Sequence, residues 1–141
     1  MPSRSDMTPR DLKDVLRHIV VFQRDTENPS SYTWRLIGTK VTEIVGHNTG
    51  KTFEQSVPPE HLPRWIECCN LILDGGQPIR FMGRVHVQGR EYLDAEHVYV
   101  PLANDNGDPS YIMGLCRYTP HRSEAEDAWE NELASLPEGL L

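Results

Sequence analysis

The sequence predicts an α+β domain: a five-stranded antiparallel sheet carrying short helices on one face, with a further helix near each end of the chain. Three observations lead there. Two runs rich in β-branched and aromatic residues come early and three come late, and turn-forming residues separate neighbours within each group. Apart from the two ends, helical apolar spacing is confined to the stretch between the groups. At 141 residues there is one domain's worth of chain, enough to bury a modest core.

Taken in order, Thr8-Pro9-Arg10-Asp11 reads as a helix start, with Thr8 as cap, Pro9 in the first turn and Asp11 favoured by the helix dipole. Leu12, Val15, Leu16 and Ile19 follow at helical spacing. His18–Gln23 ("HIVVFQ") then changes the period and predicts a strand. Asp25–Ser31 is turn chemistry throughout, and Tyr32–Thr39 ("YTWRLIGT") predicts a second strand, completing a hairpin. Val41, Ile44 and Val45 make a short helix that Gly46 ends. "HNTGKTFEQSVPPE" predicts only short helical turns. Leu62, Trp65, Ile66, Cys69, Ile72 and Leu73 give an amphipathic helix over His61–Leu73, stopped by "DGGQP". Strands are predicted over residues 79–88, 91–102 and 110–118, joined by "GR" and by "ANDNGDP". In the tail, Ser123 and Glu126 form a capping box, and Ala125, Trp129, Leu133 and Leu136 fall near one helical face.

The net charge of −7 is unevenly spread. Residues 123–141 hold six acids and no Lys or Arg, whereas residues 1–122 are near balance, with 15 acids against 14 bases. Neither part has the basic surface that nucleic acid requires, so no nucleic-acid partner is expected. The acidic tail suits a basic protein surface. The longest apolar run, Ile19–Phe22, is four residues, far short of a membrane span. Met1–Arg10 has no apolar core of a secretory signal, and three cysteines, two of them adjacent, make no disulfide framework. A reduced, cytoplasmic protein is expected.

Motifs for chemistry are weak. "GHNTGKT" has its glycines four apart and a helix end before it, where a phosphate-binding loop needs five and a strand. The six histidines form no metalloprotease-type pair, and Cys68-Cys69 with His61 lacks the spacing of a zinc site, so no metal is expected. His86 and His97 lie on adjacent predicted strands and read as a cross-strand surface pair. Ser56, Ser110 and Ser123 lie in turns or caps without a nucleophile elbow, and Glu91, Asp94 and Glu96 read as ordinary charges on an exposed strand. No catalytic residue is expected.

Residues 35–53, "RLIGTKVTEIVGHNTGKTF", supply the informative pattern: Arg35, Gly38, Thr39, Gly46, Thr49, Gly50 and Phe53, with Pro101-Leu102, the Asn104–Gly107 turn and "YIMG" further on. With the element order, this resembles a PAS domain, and in particular a single-domain alphaproteobacterial subfamily (PAS_5-like). The resemblance covers residues 9–118, leaving 1–8 as a flexible N-terminus and 119–141 as an acidic helical tail. It implies that Gly38, Gly46, Thr49 and Gly50 shape turns in the wall of a helix–sheet cavity, the glycines through positive φ or close backbone approach.

For the cavity the resemblance implies a lining of Trp34, Leu36, Phe53, Ile66, Val85, Val98 and Met113, with Arg35 and Thr39 able to supply polar groups. Arg35 paired with an acid such as Glu43, tying the turn, is the favoured alternative. Contact surfaces are expected on the outer sheet face and terminal helices: Leu12, Leu16, Met82, His86, Tyr99, Trp129 and Leu133, with Arg84 and His97 beside them. The implied function is a non-enzymatic sensory or adaptor domain of bacterial signal regulation. It would act through contact with a protein partner, itself included as a homodimer, for want of a fused output segment. No cofactor is expected; a small apolar ligand in the cavity stays open. The alternatives are a small α+β cavity enzyme or carrier, and a haem or flavin sensor. "GHNTGKTF" has no cysteine after Asn48, so a flavin–thiol photocycle is not supported.

Overall fold

The computed structural model describes residues 1–85, 89–90 and 93–120. The described strands are β1 (Ile19–Arg24), β2 (Tyr32–Ile37), β3 (Ile79–Arg84), β4 (Leu93–Ala103) and β5 (Pro109–Pro120). Between β2 and β3 come the helices α1 (Thr39–Val45), α2 (Phe53–Ser56) and α3 (Leu62–Gly75). The strands form one antiparallel sheet in the order β2-β1-β5-β4-β3. Each hairpin keeps its own partners together, and β1 joins the two groups by pairing with β5.

Local chemistry explains the boundaries. Gly46 ends α1 at φ 88° and Gly76 ends α3 in the left-handed region at φ 66°, where a side chain would be strained. Thr52 and Gln55 cap α2 reciprocally. In the β4–β5 turn the Asn104 side-chain carbonyl accepts from the backbone N–H groups of Asn106 and Asp108 (2.9 and 3.0 Å), and Gly107 takes φ 84°.

The core lies between α3 and the inner sheet face. Cys69, Ile72 and Leu73 of α3 are buried there, with Val20 and Phe22 of β1, Tyr32 and Trp34 of β2, and Ile112 and Cys116 of β5. A polar clamp fixes α3 to the first hairpin. The Arg24 guanidinium donates to Asp74 (2.9 Å), Asn70 (3.1 Å) and the Tyr32 hydroxyl (3.1 Å), and that hydroxyl donates to Asn70 (2.6 Å).

Two local expectations are corrected. The N-terminal segment is not an α-helix. The Thr8 hydroxyl does receive the Asp11 N–H at 3.3 Å and the Thr8 carbonyl the Leu12 N–H at 3.2 Å, but after this single turn the chain continues through tighter i to i+3 turns and a 3-10 helix at Leu16–His18. Ile19, the last residue of the expected helical stripe, is drawn into β1 opposite Leu115, and so short a helix has little stability of its own to oppose that. Leu12 and Leu16 instead lie on the outer sheet face beside Ile19, Val21, Leu36 and Met113. The first eight residues, set apart by sequence as a flexible end, include a bridge from Ser3 to Ala103, whose N–H donates to the Pro2 carbonyl (2.8 Å).

The second correction concerns Leu36. Strict alternation puts it on the same face as Trp34. A β-bulge intervenes: Phe22 pairs with Trp34 but Val21 pairs with Leu36, so Arg35 is extra and Leu36 turns to the outer face.

Candidate functional site

Between α3, α1 and the inner face of β3–β4–β5 lies a cavity of about 440 Å³. Phe81, His97, Tyr99 and Tyr118 pave its sheet side, Trp65, Cys68 and Cys69 its α3 side, and Ile44, Val45 and Asn48 the wall from α1 and the loop after it. Register explains the sheet side. Leu93 and Ala95 are buried, so period-2 alternation along β4 also turns His97 and Tyr99 inward. Phe81 stands opposite His97 in β3.

Gly114 makes room for this arrangement. It pairs with both Val20 and Tyr99, and a Cβ there would sit 2.5 Å from the Tyr99 ring. Tyr99 therefore folds across β5 to within 6.0 Å of the Phe22 ring centroid. Gly38 has a similar task elsewhere. Its φ of −63° is ordinary, but a Cβ would stand 2.4 Å from the carbonyl oxygens of Leu16 and Arg17. It packs backbone against backbone where β2 turns into α1. Gly46 and Gly50 have φ 88° and 86°.

The described lining carries two guanidiniums, on the exposed Arg64 and Arg84, and its interior groups are uncharged. His97 stacks on Tyr99 at 5.5 Å and meets Tyr118 edge-on at 5.8 Å, and burial lowers its pKa to about 4, so the imidazole is neutral at pH 7. Burial likewise pushes the Tyr99 and Tyr118 hydroxyls up, raises Cys68, and carries Cys69 up to about 12, so these are protonated hydroxyls and thiols. Among the described residues no Asp or Glu lines the cavity, and no group of three metal-ligating side chains forms. These residues can hold an uncharged or aromatic body by contact and hydrogen bonding, with Arg64 and Arg84 on the exposed side. They assemble no acid–base pair.

The residues proposed from sequence scatter accordingly. Trp34 and Val85 line the cavity. Phe53 is fully buried behind it, its ring 4.9 Å from that of Phe22. Ile66 is half-buried on α3 but outside the lining. Leu36 and Met113 lie on the outer face, and Val98 projects from that face too. Arg35, Thr39 and Thr49 are exposed, and Glu43 meets Lys40 (3.8 Å) rather than Arg35. Met82, 72 % exposed, and the exposed Arg84 also border the cavity, and His97 and Tyr99 face it rather than the outer patch. His97 sits opposite Phe81; His86, and with it the expected His86–His97 pair, lies outside the described residues, as do Trp129 and Leu133. The main lining residues missed from sequence were Phe81, Trp65, His97, Tyr99 and Tyr118. Counting by twos from Leu93 and Ala95 was the signal that would have found two of them.

This sheet order, with a cavity under the central helices, defines a sensor-type α+β fold. A family model described as PAS domain matches residues 1–117, and the chain belongs to the PAS domain family. PAS domains are sensory domains of signalling proteins and commonly mediate protein contact and dimerisation. Among solved structures, the PAS domain of Bordetella pertussis BvgS aligns with 18 % identity and TM-score 0.55, covering 90 % of this chain and 98 % of that one. A sensory box histidine kinase/response regulator from Burkholderia thailandensis E264 aligns with 16 % identity and TM-score 0.51, covering 92 % and 100 %. A light-oxygen-voltage domain studied with a flavin analogue aligns with 15 % identity and TM-score 0.56, covering 90 % and 94 %. At such identities these likenesses speak to the fold. No curated protein matches the chain. Among the described residues, no helix is long and apolar enough to cross a membrane.

Proposed function

We propose that this chain is a non-enzymatic input module of bacterial signal regulation, working in the cytoplasm. It takes a small molecule into the helix–sheet cavity and passes the change to a protein partner. The observation that carries this reading is the cavity itself: about 440 Å³, walled mostly by aromatic and aliphatic side chains, with Asn48, Ser56, His97 and two arginines among its polar groups. Ligand sites commonly occupy about 300–1,000 Å³ and have this composition.

Output by contact is supported by the opposite sheet face. Val98 and Leu115, paired across β4 and β5, are 38 % and 41 % exposed. That face suits a second copy of the chain or another protein.

The test is a native mass spectrum of protein purified from its own cells, beside a denaturing spectrum and an absorbance scan. Mass lost on denaturation, without a visible band, is the expected result. A visible band would move the reading to a haem or flavin sensor. Bare mass from every preparation, with no small molecule shifting the melting temperature, would overturn the ligand half of the reading. Repeated pull-downs without a specific partner or a dimer would overturn the contact half.

A further inference from the structure

The lining of the cavity narrows what it takes, given the reading of it as a ligand site. Two of its polar side chains are engaged already. Ser56 Oγ accepts from Trp34 Nε1 (2.8 Å) and donates to the Thr52 carbonyl (2.8 Å), while Asn48 Nδ2 donates to the Val45 carbonyl (2.8 Å). His97 is different: its Nδ1 is buried with no hydrogen-bond partner. A buried N–H without an acceptor is a rarer arrangement than a buried acceptor without a donor, so the single ring proton belongs on Nε2. With Nδ1 shut away, Nε2–H is the polar atom of this ring that a ligand can reach. The stack on Tyr99 and the edge contact with Tyr118 fix its direction.

Around this donor the walls are rings: Trp34, Trp65, Phe81, Tyr99 and Tyr118 all line the cavity. Aromatic rings favour other rings, stacked or edge-on, beyond what shared area alone supplies. They also attract cations. Here, however, no carboxylate joins them among the described lining residues, and two exposed arginines, Arg64 and Arg84, do, although the chain as a whole is at −7. The volume, about 440 Å³, is at the small end of the ligand range and fits one to three rings rather than a dinucleotide.

We propose that the cavity takes a planar heteroaromatic molecule of one to three rings, not cationic, whose ring nitrogen or carbonyl accepts a hydrogen bond from His97 Nε2–H. Low basicity supports this, since an imidazole that burial keeps neutral near pH 7 presents one donor and no charge.

Four probes of nearly one size separate the contributions, each titrated calorimetrically into the full chain at pH 7.5. Quinoline has the rings and the acceptor, naphthalene only the rings, 1-decalone only the acceptor, and N-methylquinolinium the rings with a positive charge. Quinoline is expected to bind about fivefold tighter than naphthalene, the worth of one net hydrogen bond, and several-fold tighter than the other two. In His97→Phe, checked for folding by circular dichroism, quinoline and naphthalene become equal. Naphthalene or 1-decalone matching quinoline in the unaltered protein, or a preference for the cation, would overturn this assignment and leave the cavity standing as a ligand site for another chemistry. Should none of the four bind, the assignment falls. The ligand reading falls with it only if the native mass spectrum also shows no bound molecule.

Discussion

The two ends of the cavity are built differently. At the β1–β2 end, Phe22 meets Trp34 and Phe53 edge-on at 4.9 Å each, Tyr32 stacks on Phe53 at 5.5 Å, and the Arg24 clamp and the Trp34–Ser56 hydrogen bond fasten helices to strands. At the β3–β4 end the buried cluster among the described residues is Val85, Leu93 and Ala95, backed by Ile44 and Tyr118. There β3 alternates half-buried and exposed side chains, and the His97 nitrogen has no partner. Interlocked rings and satisfied polar groups make the first end stiff. Fewer apolar contacts and a spare hydrogen-bonding group leave the second end the cheaper place for the fold to open. The molecule keeps its strength where the helices are anchored and its slack where a guest would be admitted.

That contrast is breakable by substitution. The largest effect is expected from Gly38→Ala, which drives a methyl into the Leu16 and Arg17 carbonyls at the stiff end; backbone cannot swing aside as a side chain can. A loss of about 3 kcal/mol is expected in urea unfolding, and a change under about 0.5 kcal/mol would show that the two segments are not pressed together. Arg24→Ala comes next. It removes donors from Asp74, Asn70 and Tyr32, with an expected loss of about 2 kcal/mol. Exchange of α3 amide hydrogens should speed up in parallel; unchanged α3 protection would mean that the clamp is ornamental.

A third test uses pH. The folded pKa of His97 is about 4 against an ordinary 6.5, so the unfolded chain binds this proton first as pH falls. Stability from this group is fully present above about pH 6.5 and drains away as pH drops towards 4, by something on the order of 1–2 kcal/mol after allowing for partial exposure. Urea midpoints at pH 7.5 and 4.5 should therefore separate less in His97→Gln than in the unaltered protein. Equal separation would mean that the ring is solvated in the fold. The smallest effect is expected from Val85→Ala at the slack end, about 1 kcal/mol, below the usual penalty for a truncated core side chain because the existing space can absorb the gap. A loss above about 3 kcal/mol would erase the distinction between the ends.

Much of the fold was legible because apolar period and turn chemistry agreed. β1, β2, α3 and the closing meander follow alternation, helical spacing and Gly- or Asn-marked turns. The failures have separate physical causes. The stripe through Leu12, Leu16 and Ile19 fits a helix equally well as a covering segment, and pairing of Ile19 with Leu115 decides between them. Leu36 was misplaced by a bulge at Arg35, which no local pattern announces. Alternate positions on neighbouring strands group His97 and Tyr99 into an outer patch, but alternation does not say which face is inside; the parity inherited from the buried Leu93 and Ala95 does. The cavity's existence followed from family likeness, whereas its lining depended on register, which sequence spacing fixes only when one buried residue per strand is known.

The pairing of β1 with β5 also bears on how the domain comes into being. Ile19 finds Leu115 across nearly the whole sequence of the domain, so during synthesis the first hairpin has no central neighbour until the fifth strand has emerged. Long-range closure of this kind slows folding and makes it all-or-none. A chain interrupted before Leu115 would present the edge of β1, lined by Val20, Val21 and Phe22, as an open invitation to other strands.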